Sequence, residues 1–391
     1  MISVNKALNN IFELVAQLDA EPVGLKDANG RILARSVVAT RDQPPFSASA
    51  MDGYAICSKD LDKGVQKWKV IGESGAGHSF GGCVTSGQAT RIFTGAPMPE
   101  GTDQVIIQEN VKLKNLSITL SQTPNFEKYV RAAGSDFNTG FTLKAPRRLT
   151  PHDIALMAAM NSPTPWVTRK PKIVIIGTGD ELVQPGEQPN DDQIIASNTY
   201  GLAAMLKAAG ATPRLLPIAR DRLTSLEQVF SLIGTADAVI TVGGASVGDY
   251  DFVSQAASNF GMKQSFYKVA MRPGKPLMAG YLRGIPMIGL PGNPVSAMVC
   301  GEVFLIPLIQ KMLGLPAVPR VRKNGPIGHS LPQNGTREHY MRAKLINGSI
   351  FIEDPQDSSL LRVLANADAL AVRPKDDGPL KEGSNIEYIP L

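Results

Sequence analysis

Between residues 172 and 313 the chain alternates apolar runs of strand length with amphipathic stretches of helix length, and this alternation limits the fold more than any other feature. KIVIIG (172–177) and ADAVITVGG (236–244) are continuous apolar runs of the kind found in strands buried on both faces. ATPRLLPI (211–218), QSFYKVAM (264–271), PLMAGYL (276–282) and IPMIGL (285–290) read as further strands. SNTYGLAAMLKAAG (197–210), LTSLEQVFSLIG (223–234), DFVSQAASNF (251–260) and NPVSAMVCGEVFLIPLIQKML (293–313) read as helices, the first ending at Gly210. Strand and helix in turn predict an α/β fold with a doubly wound, mostly parallel central sheet and right-handed crossovers.

The flanks differ. Val4, Ala7, Leu8, Ile11, Leu14, Val15 and Leu18 fall at helical spacing over residues 3–18, behind Ser3 as N-cap. Residues 54–130 carry short β-branched runs between Gly and Pro, the pattern of a small β-rich domain. LTPHDIALMAAMN (149–161) reads as a helix with Thr150 capping and Pro151 at its first position. Beyond Leu315 the chain returns to short strands and turns. The expected division is a helical and extended linking domain (1–45 plus 136–168), a β-rich domain (46–135), the α/β domain (169–315) and a C-terminal β domain (316–391).

Composition removes several classes of function. The 391 residues carry 40 Lys+Arg against 35 Asp+Glu, a net charge of +5, with the basic residues interspersed among acids. No nucleic-acid-binding module is recognisable, so nucleic acid is not an expected partner. No uninterrupted apolar run is long enough to span a bilayer and the N-terminus lacks a signal-peptide pattern, so a cytoplasmic protein without membrane contact is expected. Cys57, Cys83 and Cys300 are far apart and none stands in a metal-binding spacing. The motifs G-x-x-x-x-G-K-[ST], G-x-S-x-G and H-E-x-x-H are absent, and the four histidines are isolated in sequence.

Ligands in an open parallel sheet sit beyond the carboxyl ends of the strands, so the loops there carry the expected chemistry. Gly177-Thr178-Gly179-Asp180-Glu181 offers a close backbone approach and two carboxylates suited to magnesium, or is a plain turn. Gly243-Gly244-Ala245-Ser246 presents successive N–H groups and a hydroxyl to an anion, and Asp251 either joins it or caps the following helix. Lys268, Arg272 and Lys275, around Pro273, Gly274 and Pro276, form a cluster of positive charge fit for an oxyanion, or a solvated basic turn. Pro291-Gly292-Asn293-Pro294-Val295-Ser296 opens the last helix, where free N–H groups and the helix dipole favour an anion, or is simply a well-capped start.

Read together, these strings resemble one family. Ser49-Ala50-Met51-Asp52-Gly53-Tyr54-Ala55, Thr94-Gly95-Ala96-Pro97, Thr178-Gly179-Asp180-Glu181-Leu182, Gly243-Gly244-x-Ser246-x-Gly248, Pro273-Gly274-Lys275-Pro276 and Pro291-Gly292-Asn293-Pro294-Val295-Ser296 occur in this order in the molybdopterin molybdenumtransferases, which include the E domain of gephyrin. The resemblance runs over nearly the whole chain. It implies a four-domain, L-shaped subunit with an α/β domain of molybdopterin-binding type. It also implies a homodimer whose clefts draw on both chains, and contact with a molybdopterin adenylyltransferase and apo-molybdoenzymes. The implied reaction inserts molybdate into adenylylated molybdopterin with magnesium and releases AMP.

Carried over to this chain, the resemblance assigns molybdate to Lys268, Arg272, Lys275, Pro276, Ser296, Arg342 and Ser358, with Arg272 standing where the family usually has Lys. It assigns Asp52, Thr94, Asp136, Glu181, Asp221, Ser246 and Asp251 to the catalytic cleft. Gly179, Asp180, Gly243, Gly244, Ser246, Gly292 and Asn293 are expected to receive the pterin phosphate, and Asp180, Glu181 and Asp251 the magnesium. The chain departs from the family pattern at Ala133 and Ser135, where Arg and Glu are usual, at Ala196, at Ser359 and at Arg362-Val363. Those departures motivate a second expectation: a divergent paralogue that binds or carries the pterin cofactor without catalysis.

Overall fold

In the computed structural model, which describes residues 1–122, 127–244 and 252–391 apart from the side chains of 252–255, the alternating region forms one six-stranded sheet. Its order is Thr212–Leu215, Lys172–Gly177, Ala238–Val242, Ile285–Leu290, Met278–Leu282, Met262–Tyr267. The first four strands are parallel and the last two antiparallel. Both central strands are apolar on both faces because both faces are covered. Ile173, Ile175 and Ile240 pack with Leu202, Leu206 and Val295, while Val174, Ile176 and Val239 pack with Leu226, Val229 and Phe230. From Lys172–Gly177 the chain steps outward to Thr212–Leu215 and then crosses back to Ala238–Val242. This reversal leaves a crevice between the carboxyl ends of Lys172–Gly177 and Ala238–Val242.

The helices follow the sequence closely. Asn198–Ala209 ends at Gly210, whose φ of 107° closes it in the left-handed region. Pro151–Ala159 starts with the reciprocal Thr150/Asp153 capping box. Val4–Glu13 is shorter than its periodicity suggests, yet Leu14 and Val15 beyond its end remain buried. The last helix is continuous over Pro294–Met312 but passes through a π-helical turn at Gly301–Leu305, where the Ile306 N–H reaches back to the Gly301 carbonyl. Pro307, which has no N–H to donate, accounts for the local re-registration. This helix is the one described segment long and apolar enough to cross a membrane, and 72% of its apolar window is buried inside the protein.

One expectation fails in an informative way. QSFYKVAM reads as a single strand, but Met262–Tyr267 pairs within the α/β sheet while Met271–Arg272 pairs in parallel with Glu338–Ile346 of a different sheet. Lys268, at φ 70°, turns the chain between them. The second sheet runs Met271–Arg272, Glu338–Ile346, Ala369–Arg373, Asn385–Pro390, Lys323–Pro326, with Ser349–Ile352 on Glu338–Ile346. Periodicity carries no mark of this exchange, because neither turn residue nor proline separates Tyr267 from Met271.

Toward the N-terminus, strands from residues 20–38 pair with strands from residues 142–168, so two distant segments share one unit. Between them a six-stranded sheet spans residues 53–120, with Trp68 buried at its centre and its Nε1 donating to the buried Asp60. The Val4–Glu13 helix buries Val4, Ala7, Leu8 and Ile11 in the α/β core.

The crevice itself depends on Gly243. Its φ is 99°, and a Cβ there would lie 2.5 Å from the Thr178 carbonyl oxygen. Gly243→Ala therefore combines an unfavourable backbone conformation with a clash against backbone. It is expected to destabilise the α/β domain by roughly 2 kcal/mol or more, read as a lower midpoint of thermal or denaturant unfolding.

Candidate active site

A cleft of about 590 Å³ opens at the topological switch point. Its floor is backbone. The Thr178 N–H donates to the Val242 carbonyl at 2.9 Å and the Gly243 N–H to the Leu290 carbonyl at 3.1 Å, so three strand ends are stitched side by side. Gly292 closes the same floor, where a Cβ would touch the Gly243 Cα at 3.4 Å. Asn198, the first residue of its helix, donates from Nδ2 to the Gly292 carbonyl at 2.6 Å and fixes the loop opening the last helix.

One wall is acidic. Glu181 and Asp221 line the cleft, and Asp180 joins them by accepting the Asp221 N–H at 3.1 Å. Burial, and then the negative charges of Glu181 and Asp180, push the Asp221 carboxyl above the ordinary carboxylate range. The turn carrying these acids is held by Arg220, whose Nη1 donates to the carbonyls of Asp180 at 2.8 Å and Leu182 at 3.0 Å. Arg220 and Asn198 organise the site, and sequence reading did not single them out. Arg220 has no motif around it, and the one available sign of Asn198 is an amide opening a helix near a strand end.

The cationic groups stand beyond the opposite rim, around the helix start. Ser296 is 4% exposed in the first helical turn. Asn293 has N-cap backbone geometry, but its side chain makes no capping bond and donates instead to Ser358 Oγ at 3.1 Å. The Val295 N–H donates to the Ser358 carbonyl at 3.0 Å, which seats the 355–358 segment over the helix end. Arg342, fully buried, holds that segment by donating from Nη2 to the carbonyls of Pro355 at 3.1 Å and Asp357 at 2.9 Å. Its Nε and Nη1 are buried and have no hydrogen-bond partner among the described residues. Burial lowers the proton affinity of this guanidinium, Arg272 lowers it further and Asp357 offsets part of the effect. Buried donors facing other cations are the electrostatic signature of a place for an anion.

The expected site residues thus fall into groups. Glu181, Asp221, Gly243, Gly244, Pro276, Gly292 and Asn293 line one cleft, with Gly179 and Asp180 in its acidic turn. Arg272, Ser296, Arg342 and Ser358 gather on elements next to it, and Lys275 is exposed on the loop that leads to Pro276. Lys268 lies with its Nζ 4.9 Å from the Tyr267 ring centroid. Asp52 and Thr94 sit together in the β-rich sheet region, where Asp52 accepts the Thr94 N–H and hydroxyl, both at 2.7 Å. Those two bonds hold the half-buried Asp52 below the usual carboxylate range. Asp136 is exposed, and none of these three lines the cleft of its own chain. Ser246 and Asp251 lie outside the described residues. Ala196, one of the departures, forms part of the cleft wall.

Comparison with known proteins agrees with this architecture along the whole chain. Residues 2–161 match the model of the MoeA N-terminal region (domain I and II), residues 174–311 that of a probable molybdopterin binding domain, and residues 324–391 that of the MoeA C-terminal region (domain IV). A molybdopterin molybdenumtransferase of Nostoc sp. strain PCC 7120 is 38% identical, over 100% of this chain and 94% of its own. Molybdopterin molybdenumtransferase 2 of Mycobacterium tuberculosis H37Rv is 31% identical over 99% of both chains. The crystal structure of a molybdopterin biosynthesis MoeA protein from Pyrococcus horikoshii superposes with a TM-score of 0.87 at 27% identity, covering 100% of this chain and 99% of that one. The chain belongs to the MoeA family, the molybdopterin molybdenumtransferases of molybdenum cofactor biosynthesis.

Proposed function

We propose that the protein takes adenylylated molybdopterin and molybdate, inserts the molybdenum at the pterin dithiolene and releases AMP. The observation that carries this reading is one cleft with a carboxylate wall on one side and buried, unsatisfied guanidinium donors beyond the other. The backbone floor at Gly243 and Gly292 suits the substrate phosphates, since its glycines admit a close approach to the main chain beside a helix start. Arg272, Lys275, Ser296, Arg342 and Ser358 hold the molybdate by charge and hydrogen bonds, with Pro276 and Lys268 on the same loop. Sulfur ligands arrive with the pterin, so the protein needs only to grip an oxyanion. The work of its residues is positioning and electrostatic stabilisation.

Magnesium fits the acidic wall by donor chemistry. Among the described residues no three His, Cys, Asp or Glu side chains form a complete ligand set, whereas the raised Asp221 carboxyl marks an excess of negative charge. Magnesium takes one or two carboxylates and completes its shell with phosphate oxygens and water. Asp180 and Glu181, with Asp221 beside them and Asp251 as a further candidate outside the described residues, are the residues that would hold it; when bound it neutralises charge on the phosphates being parted. Asp221→Asn is expected to raise the magnesium concentration needed for half-maximal AMP release by roughly ten-fold, measured at saturating pterin.

The protein is read further as a cytoplasmic homodimer that meets the adenylyltransferase supplying its substrate and the apo-enzymes receiving its product. Asp52, Thr94 and Asp136 are then supplied to each cleft by the other chain. Purified protein with adenylylated molybdopterin, molybdate and magnesium should release AMP and yield cofactor that activates an apo-molybdoenzyme. Tight pterin binding without AMP release under any metal condition would replace the enzyme by a carrier. Lys275→Ala and Asp52→Ala should each abolish most activity. An equal mixture of the two, allowed to exchange subunits, should recover about a quarter of the wild-type rate, and a mixture that stays inactive shows that each cleft is built from a single chain.

A further inference from the structure

Beside Arg272 lies a buried polar atom without a hydrogen-bond partner among the described residues. His339 is the Cα partner of Arg272 across the parallel ladder and of Arg373 across the antiparallel one, so the three side chains share one face of the C-terminal sheet. Arg337 sits in the bend just before that strand, and its charge also bears on His339. His339 is 8% exposed, and its Nε2 is buried with no hydrogen-bond partner among the described residues. Burial, followed by the charges of Arg272, Arg342, Arg337 and Arg373, pushes the imidazole down to about 4, so at neutral pH it carries one ring nitrogen with a free lone pair.

The donors that could meet this nitrogen differ in availability. Arg373 gives Nε to the Asp377 carboxylate, Nη1 to the Pro332 carbonyl and Nη2 to the carbonyls of Asp377 and Gly378. Arg337 gives Nη1 to the Met271 carbonyl at 3.3 Å. Arg342 is tied to the 355–357 segment and, three residues on from His339, projects from the opposite face of the strand. Arg272 is exposed and has no hydrogen bond among the described residues.

We propose that His339 is a positioning residue for the oxyanion: its Nε2 accepts a hydrogen bond from the Arg272 guanidinium and fixes that guanidinium against the bound molybdate. This rests on the oxyanion site proposed above. A guanidinium is planar and presents more than one edge, so it serves an imidazole and an oxyanion at once in a fixed geometry. An ammonium at the same place is a single freely rotating point of charge. Arg272 and His339 are therefore two halves of one device.

The test uses the full chain with the molybdate dependence of AMP release as readout, molybdate binding followed in parallel by calorimetry, and folding checked by circular dichroism. H339L should raise the molybdate KM roughly ten-fold with little change in kcat or in the KM for the pterin substrate. H339Q, which keeps an acceptor near the Nε2 position, should recover most of that loss. R272K should show the same rise, and R272K/H339L no further loss beyond R272K. An unchanged molybdate KM in H339L, or additive losses in the double variant, overturns the inference and leaves the oxyanion site standing. A wild-type chain with no saturable molybdate dependence overturns the oxyanion site and the inference with it. H339N, polar but too short to reach, carries the same comparison, with the same deciding outcomes, where H339L does not fold.

Discussion

The parallel pairing of Met271–Arg272 with Glu338–Ile346 is the contact on which the cation side of the site depends. Two residues of the α/β domain leave their own sheet and become the edge strand of another. The chain therefore enters the loop 272–276 held at one end by the C-terminal sheet and at the other by Met278–Leu282 of the central sheet. Met271 is fully buried and belongs to the same core as Tyr340, so the junction is apolar beneath and charged above. A cation cluster on a free loop would lose much of its binding energy to ordering; anchored at both ends, less of that cost remains.

The acidic side is ordered by a different means. The 179–182 turn runs into a short two-stranded sheet, where Leu182 pairs with Ile194, and Arg220 clasps it further by bonding to its carbonyls. The charge of Arg220 is thereby turned toward backbone, and the carboxylates of Glu181 and Asp221 remain free to face the cleft. The two walls thus carry opposite charge on different supports, one a strand shared between sheets and the other a short strand pair with a side-chain clasp.

Much of this was legible in the sequence, and the reason is physical. Continuous apolar runs such as KIVIIG arise only where both faces are buried, and glycine loops after them mark strand ends, so the sheet and the floor of its cleft could be read directly. Caps at Thr150 and Gly210 are local and were equally plain. What could not be read was set by long-range partners. The split of QSFYKVAM depends on a strand some seventy residues away, the pairing of residues 20–38 with residues 142–168 spans an entire domain, and Arg220, Asn198 and His339 matter because of what they adjoin in space. The distance of Asp52 and Thr94 from the cleft is likewise a property of the folded chain, not of the motif.

The π turn in the last helix sets a phase relation. A turn that closes five residues back instead of four accommodates one extra residue, which at 3.6 residues per turn rotates everything on one side of it by about 100° relative to the other. Ser296, Val299 and Cys300 before the turn and Phe304, Leu308 and Met312 after it are nevertheless all buried. The helix therefore works as two offset halves, its C-terminal half docked on the Val4–Glu13 helix and its N-terminal half clocked so that Ser296 faces inward beneath the oxyanion segment.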